Sequence, residues 1–167
     1  MRQRSGLYYG HNPIAFVMEY SQGSLGRVFV IRLSEGEDLI GSLDRFLAEK
    51  EVASGMILFL GALRRGRIVA GPREPTIPPV NPFVEDLEGG FETFGVATVY
   101  PGEGGEPKVH IHASFGRGER ALTGCLRERA QIYLVVEAVV FEFLGLSARR
   151  LLDEESGLLL PNLKERF

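Results

Sequence analysis

With 167 residues, 44% hydrophobic and 25% charged, the chain is long enough to bury a substantial core, and one domain is expected rather than two. A net charge of −3 argues against gripping nucleic acid through a general basic surface, because phosphate neutralisation supplies most of that affinity. One cysteine excludes an internal disulfide framework, and no apolar run approaches the ~18 residues of a membrane helix; a soluble cytoplasmic protein is expected.

Residues 1–26 read as an N-terminal extension, punctuated by Gly6, Gly10, Asn12, Pro13 and Gly23, with one short apolar piece at 14–18. Met18 is an alternative start, and nothing in the stretch has the length of a signal peptide. Regular structure begins at Arg27, where Val28, Val30 and Arg32 alternate with Phe29, Ile31 and Leu33 as in a strand. Ser34 and Glu37 have the spacing of a capping box. Leu39, Ile40, Leu43, Phe46 and Leu47 follow at helical intervals and predict an amphipathic helix over residues 36–50. A second strand-like run over 53–63 is interrupted by Gly55 and Gly61, and residues 64–67, Arg-Arg-Gly-Arg, read as a turn. Prolines at 72, 75, 78, 79 and 82 forbid a helix or central strand and predict an ordered, lid-like loop. Strands are expected over 91–100, 108–115, 120–126 and 132–144, with glycine turns at 102–105 and 116–118. Residues 151–167 are mixed and expected to wrap the surface. The order implies an α+β fold, a largely antiparallel β-sheet covered by one main helix.

Chemistry concentrates in Lys108-Val109-His110-Ile111-His112-Ala113-Ser114-Phe115 and the Thr123-Gly124-Cys125-Leu126 segment after it. Alternation puts His110 and His112 on one face of a strand and Val109, Ile111, Ala113 and Phe115 on the other, which reads as core. A hairpin turn over 116–119 would place His110 opposite Cys125 and His112 opposite Thr123, so that two imidazoles and a thiol converge. Nitrogen and sulfur ligands favour zinc, and three protein ligands leave one position open. The alternative is a buried cysteine beside two surface histidines, and a register displaced by one residue would turn Cys125 to the other face.

The chain resembles the plant-and-prokaryote conserved (PPC) domain family over about residues 27–160. The resemblance rests on Arg27-Val-Phe-Val-Ile-Arg-Leu-Ser-Glu-Gly-Glu-Asp-Leu39, Gly61-Ala62-Leu63, Pro107-Lys-Val-His-Ile-His-Ala113, Thr123-Gly-Cys-Leu126, the Glu137 strand and Arg150…Gly157-Leu158. It implies a PPC-like domain over 27–167, an α+β fold on an antiparallel sheet, and a homotrimer. It also implies a zinc-type metal held by a His-x-His segment and a third histidine in Gly-Gly-His-Leu. His110 and His112 match the first, whereas Cys125 stands where the third histidine is usual; as thiolate it remains a competent zinc ligand. Gly89, Phe91 and Glu92 match part of the plant motif Gly-Arg-Phe-Glu-Ile-Leu, though an ordinary strand explains them as well.

Prokaryotic family members are widely described as predicted DNA-binding proteins, which implies a DNA-associated or regulatory binding module. Residues 64–67 lack the proline of an AT-hook, and the clusters Arg117/Arg120, Arg127/Arg129 and Arg149/Arg150 are interspersed with acids as on a solvated surface. The alternative function is a metal-dependent enzyme or small-molecule binder using the open position of the His110/His112/Cys125 centre. Glu92 and Glu137 are candidate proton carriers that no spacing places beside it.

Overall fold

The computed structural model of the chain describes residues 18–163 and 165–166. In chain order these form β1 (Glu19–Tyr20), β2 (Ser24–Ser34), α1 (Leu39–Glu49), β3 (Gly55–Pro72), β4 (Pro82–Pro101), β5 (Pro107–Arg117), β6 (Arg120–Leu144), β7 (Ala148–Asp153), β8 (Leu158–Leu163) and β9 (Glu165–Arg166). The fold is α+β, as expected, but strands dominate, and the one helix among the described residues, eleven residues long, covers only part of the sheet. Of the expected N-terminal extension, residues 1–17 lie outside the described residues, and His11 with them.

The main sheet has the order β2-β6-β3-β4-β5, and β6 also pairs with β5. All these pairings are antiparallel. The first part of β6 lies between β5 and the end of β3, so β3, β4, β5 and β6 close into a ring. Its later part carries β2 on its outer edge. Two small pairs complete the chain, β7 with β8 and β1 with β9.

Inside, Phe59, Phe91 and Phe115 are each at most 2% exposed and pack with Ile57, Leu63 and Ile68. Leu39, Leu43 and Leu47, one stripe of α1, join the same core. Phe59 owes its place to Gly95: a Cβ there would lie 2.2 Å from the Phe59 ring, so only glycine leaves room.

Several expected boundaries move, each for a local reason. The helix begins at Leu39 because Asp38 is its N-cap, its carboxylate accepting from the Gly41 N–H at 2.8 Å. Half of the expected box forms, Glu37 accepting from the Ser34 N–H at 2.6 Å, but this closes the turn ahead of the helix. Residues 64–67 are not a turn; β3 runs through them. Leu63 and Ile68 are buried in the core, and bulges between β3 and its neighbours absorb the irregularity. The arginines there meet acids, Arg64 with Glu35 and Arg67 with Asp86 at 3.0 Å. The proline-rich loop connects β3 to β4, which pair again at Pro72 and Pro82, so β4 starts nine residues before the expected strand at 91. Gly89-Gly90-Phe91-Glu92 therefore lies within a strand. The expected strands 120–126 and 132–144 are one element, β6, bent where Arg129 (φ 54°) and Leu134 (φ 61°) take left-handed conformations.

The face of the sheet away from the core is apolar and open. Val30 is 82% exposed, Phe94 60% and Leu60 54%, with Val28 and Val96 beside them. Cross-strand pairing continues this surface across β4, through Val96, to His112 on β5.

Where β2 joins β6, Arg27 donates from Nε and Nη2 to the Glu142 carboxylate at 2.7 Å each, and its backbone N–H adds a third bond at 3.0 Å. These bonds hold the buried Glu142 carboxyl at about 2, well below the usual carboxylate range. Because the folded value is depressed, the stabilisation is present above the unfolded value near ~4.3 and is lost as pH falls toward 2. Arg27→Ala is expected to lower the unfolding midpoint at neutral pH, with the gap to the parent protein closing through that acid window. A gap independent of pH would show that Arg27 acts through packing alone.

Candidate metal centre

His110 and His112 sit two residues apart on β5, and their neighbours Ile111, Ala113 and Phe115 are buried as the alternation requires. The hairpin to β6 turns at residues 118–119, with Arg117 opposite Arg120 and Gly118 at φ 57° supplying the tight bend. Gly116, which reads as a turn residue, stays in the strand. The register therefore moves by two residues from the expected one: His112, not His110, faces Cys125, and Ser114 faces Thr123. A shift of two preserves the face, and the predicted convergence survives it. The Ser114 and Thr123 hydroxyls bond at 2.8 Å and pin the register beside the site.

One potential ligand atom from each of His110, His112 and Cys125 lies within 4.8 Å of the others. The two imidazoles meet edge to face, centroids 4.9 Å apart at 85°. Among the described residues no carboxylate belongs to the group; Glu92 pairs with Gly116 and Glu137 with Leu60, so neither is brought to it. Cys125 is 5% exposed, His110 half-buried and His112 exposed. Depth thus grades from thiol to solvent, and the open side lies toward the exposed ring. Gly124 makes the close approach at Cys125 possible: a Cβ there would lie 2.5 Å from the Val69 carbonyl oxygen.

Burial, reinforced by Arg150, His112 and Arg127, lowers His110 to about 4, so its ring is neutral and has lone pairs to offer at physiological pH. Burial pushes the Cys125 thiol up, with Arg127 and Arg150 offsetting part of that rise. A soft cation would displace the thiol proton on binding. Two imidazole nitrogens and one sulfur are a donor set that suits a zinc-type ion.

Beside the histidines the end of the chain contributes what sequence reasoning missed. The β7–β8 hairpin brings Arg150 against β4, where its Nη2 donates to Thr98 Oγ1 at 2.9 Å; Thr98 is the cross-strand partner of His110. Arg150 is 5% exposed, not part of a solvated cluster. A usable signal existed: apolar Leu151-Leu152 and Leu158-Leu159-Leu160 flank an Asp153…Ser156-Gly157 turn. There Asp153 accepts from the Ser156 N–H at 2.8 Å and hydroxyl at 2.6 Å, and Gly157 has φ 68°.

Residues 20–144 match the family model of the Plants and Prokaryotes Conserved (PCC) domain. The chain belongs to that family. The PCC-domain fold is shared with a PPC protein from Pyrococcus horikoshii at 28% identity and TM-score 0.74, covering 88% of this chain and 99% of that one. A metal-containing protein from Archaeoglobus fulgidus matches at 26% identity and TM-score 0.74, covering 86% and 98%. A Bacteroides thetaiotaomicron structure described as a "putative dna binding protein" matches at 19% identity and TM-score 0.69, covering 84% and 97%; at that identity the likeness carries the fold alone. No curated protein matches the chain.

Proposed function

We propose that this PCC-domain protein is a metal-binding module in which His110, His112 and Cys125 hold one zinc-type ion with a position open to a small ligand. The observation that carries this reading is the three-donor convergence within 4.8 Å on a paired hairpin. Similarity to a metal-containing archaeal protein supports it. Such an ion would supply Lewis-acid polarisation of a ligand oxygen, while the chain's own residues position it: β5 aims the two rings and the Gly124 approach seats the thiol. Cobalt titration tests the reading. One ion per chain is expected, with a thiolate-to-cobalt absorption band that disappears in Cys125→Ser. Absence of stoichiometric uptake would remove the site.

The same reading takes the protein as a homotrimer, an assembly the family resemblance implies. The open apolar face around Val30, Leu60 and Phe94 supports self-association, since contiguous exposed apolar surface of this kind marks contact sites. Sedimentation is expected to give three chains and Phe94→Lys fewer; a parent mass of one chain would exclude the trimer. A DNA-associated role has support only from the family. Arg64, Arg67 and Arg120 are each paired with Glu or Asp, which takes these three out of any free basic patch. Duplex binding that weakens as salt rises would restore that role.

A further inference from the structure

Arg150 is a buried cation with no anion beside it among the described residues. Its Nη1 donates to the Leu159 carbonyl at 3.2 Å and its Nη2 to Thr98 Oγ1 at 2.9 Å, both neutral acceptors, while Nε is buried with no partner. No carboxylate among the described residues forms an ion pair with it. Taking a guanidinium from water without a counter-charge is costly, and such groups are normally paired. Arg150 lines a cavity of about 310 Å³ together with Lys108, His110, Arg127 and the β8 leucines 158–160. Three cations and no Asp or Glu line it. Lys108 has a neighbour in Glu106 at 3.0 Å, but neither arginine has a carboxylate partner among the described residues. The volume lies at the lower end of small-molecule sites, ~300–1,000 Å³.

We infer that this cavity binds a small organic acid, its carboxylate held by Arg127 and Arg150 and its aliphatic body lying against Val109 and the β8 leucines. Guanidinium forks match carboxylate geometry, and a ligand carboxylate supplies the counter-charge that Arg150 lacks among the described residues. The apolar wall favours a carboxylate with a hydrocarbon body over a bare inorganic anion. Because His110 is shared between the cavity and the metal centre, the acid is the ligand class for the open position, and to that extent the inference rests on the proposed metal site. The arginine contacts do not need the ion.

Chelator-treated protein therefore provides the test, by calorimetric titration with hexanoate, acetate and inorganic phosphate at matched ionic strength. Hexanoate is expected to bind saturably, about tenfold or more tighter than acetate, as burial of two or more methylenes requires, and tighter than phosphate. Arg127→Gln is expected to weaken hexanoate by about tenfold or more, the loss of a charge-assisted bond. Arg149→Gln, on an exposed neighbour outside the cavity, leaves it unchanged. Equal binding of acetate and hexanoate, an unaffected Arg127→Gln, or equal losses in both variants would overturn the inference. Hexanoate binding in protein that takes up no cobalt would sink the metal reading and leave this one standing.

Discussion

His112→Ala is expected to weaken zinc binding by more than about 100-fold, since loss of an outer-shell partner alone costs 10–100-fold, while the metal-free protein keeps its unfolding midpoint. The separation of the two effects follows from where the ring sits. His112 is exposed on the side of β5 facing away from the Ile111, Ala113 and Phe115 packing, so truncation opens no cavity. Surface changes away from packing or special backbone ordinarily stay within ~0.5 kcal/mol. Competition against a chromophoric chelator measures the affinity, and thermal unfolding in chelator measures the scaffold. Unchanged zinc affinity would take His112 out of the ligand set; a large fall in the metal-free midpoint would make it a structural residue instead.

The largest loss of stability is expected from Phe59→Ala, about 3–5 kcal/mol, the range for deleting a buried aromatic side chain. Phe59 is 2% exposed and sits between strands on both sides, opposite Gly95 on β4 and Ala138 on β6. Its ring fills the space that the absent Cβ of Gly95 leaves. Neither the glycine nor the paired backbones can move in to close the hole without breaking the ladders, so little of the cavity collapses. Denaturant unfolding with the slope unchanged and the midpoint lowered would match this account. A loss below about 1 kcal/mol would mean that the ring is replaceable by neighbouring side chains.

What the sequence made legible was local and periodic. Alternation at Val28 to Leu33 and at Val109 to Phe115 identified strands and their buried faces, and the Leu39, Leu43 and Leu47 stripe identified the helix. Face assignment at His110 and His112 was robust because the period of a strand is two, so even a register wrong by two residues kept Cys125 on their side. Long strands were harder to see. β3 passes through Arg64, Arg65 and Arg67, whose charges look like a turn until Glu35 and Asp86 are found across from them. β6 looks like two strands because the polar run Arg127-Glu128-Arg129-Ala130-Gln131 interrupts its apolar residues. Arg150 was invisible as part of the site because its surroundings are built by β4 and β5, far away in sequence; charge in a sequence reads as exposure unless the fold says otherwise.

The pairing of β2 with the later part of β6 also constrains how the chain is made. Ser24 meets Leu144 and Ser34 meets Val135, and β6 is the only strand bonded to β2 among the described residues. During synthesis β2 therefore emerges with its backbone edge unpaired and waits for most of the following residues before its partner exists. Non-local pairing of this kind is slow, and an unpaired strand edge is open to pairing with the wrong chain. A nascent or truncated chain ending before 135 retains α1 and the β3–β4 hairpin but leaves β2 without a bonded neighbour, which makes that edge the natural point of capture by chaperones and of aggregation in shortened variants.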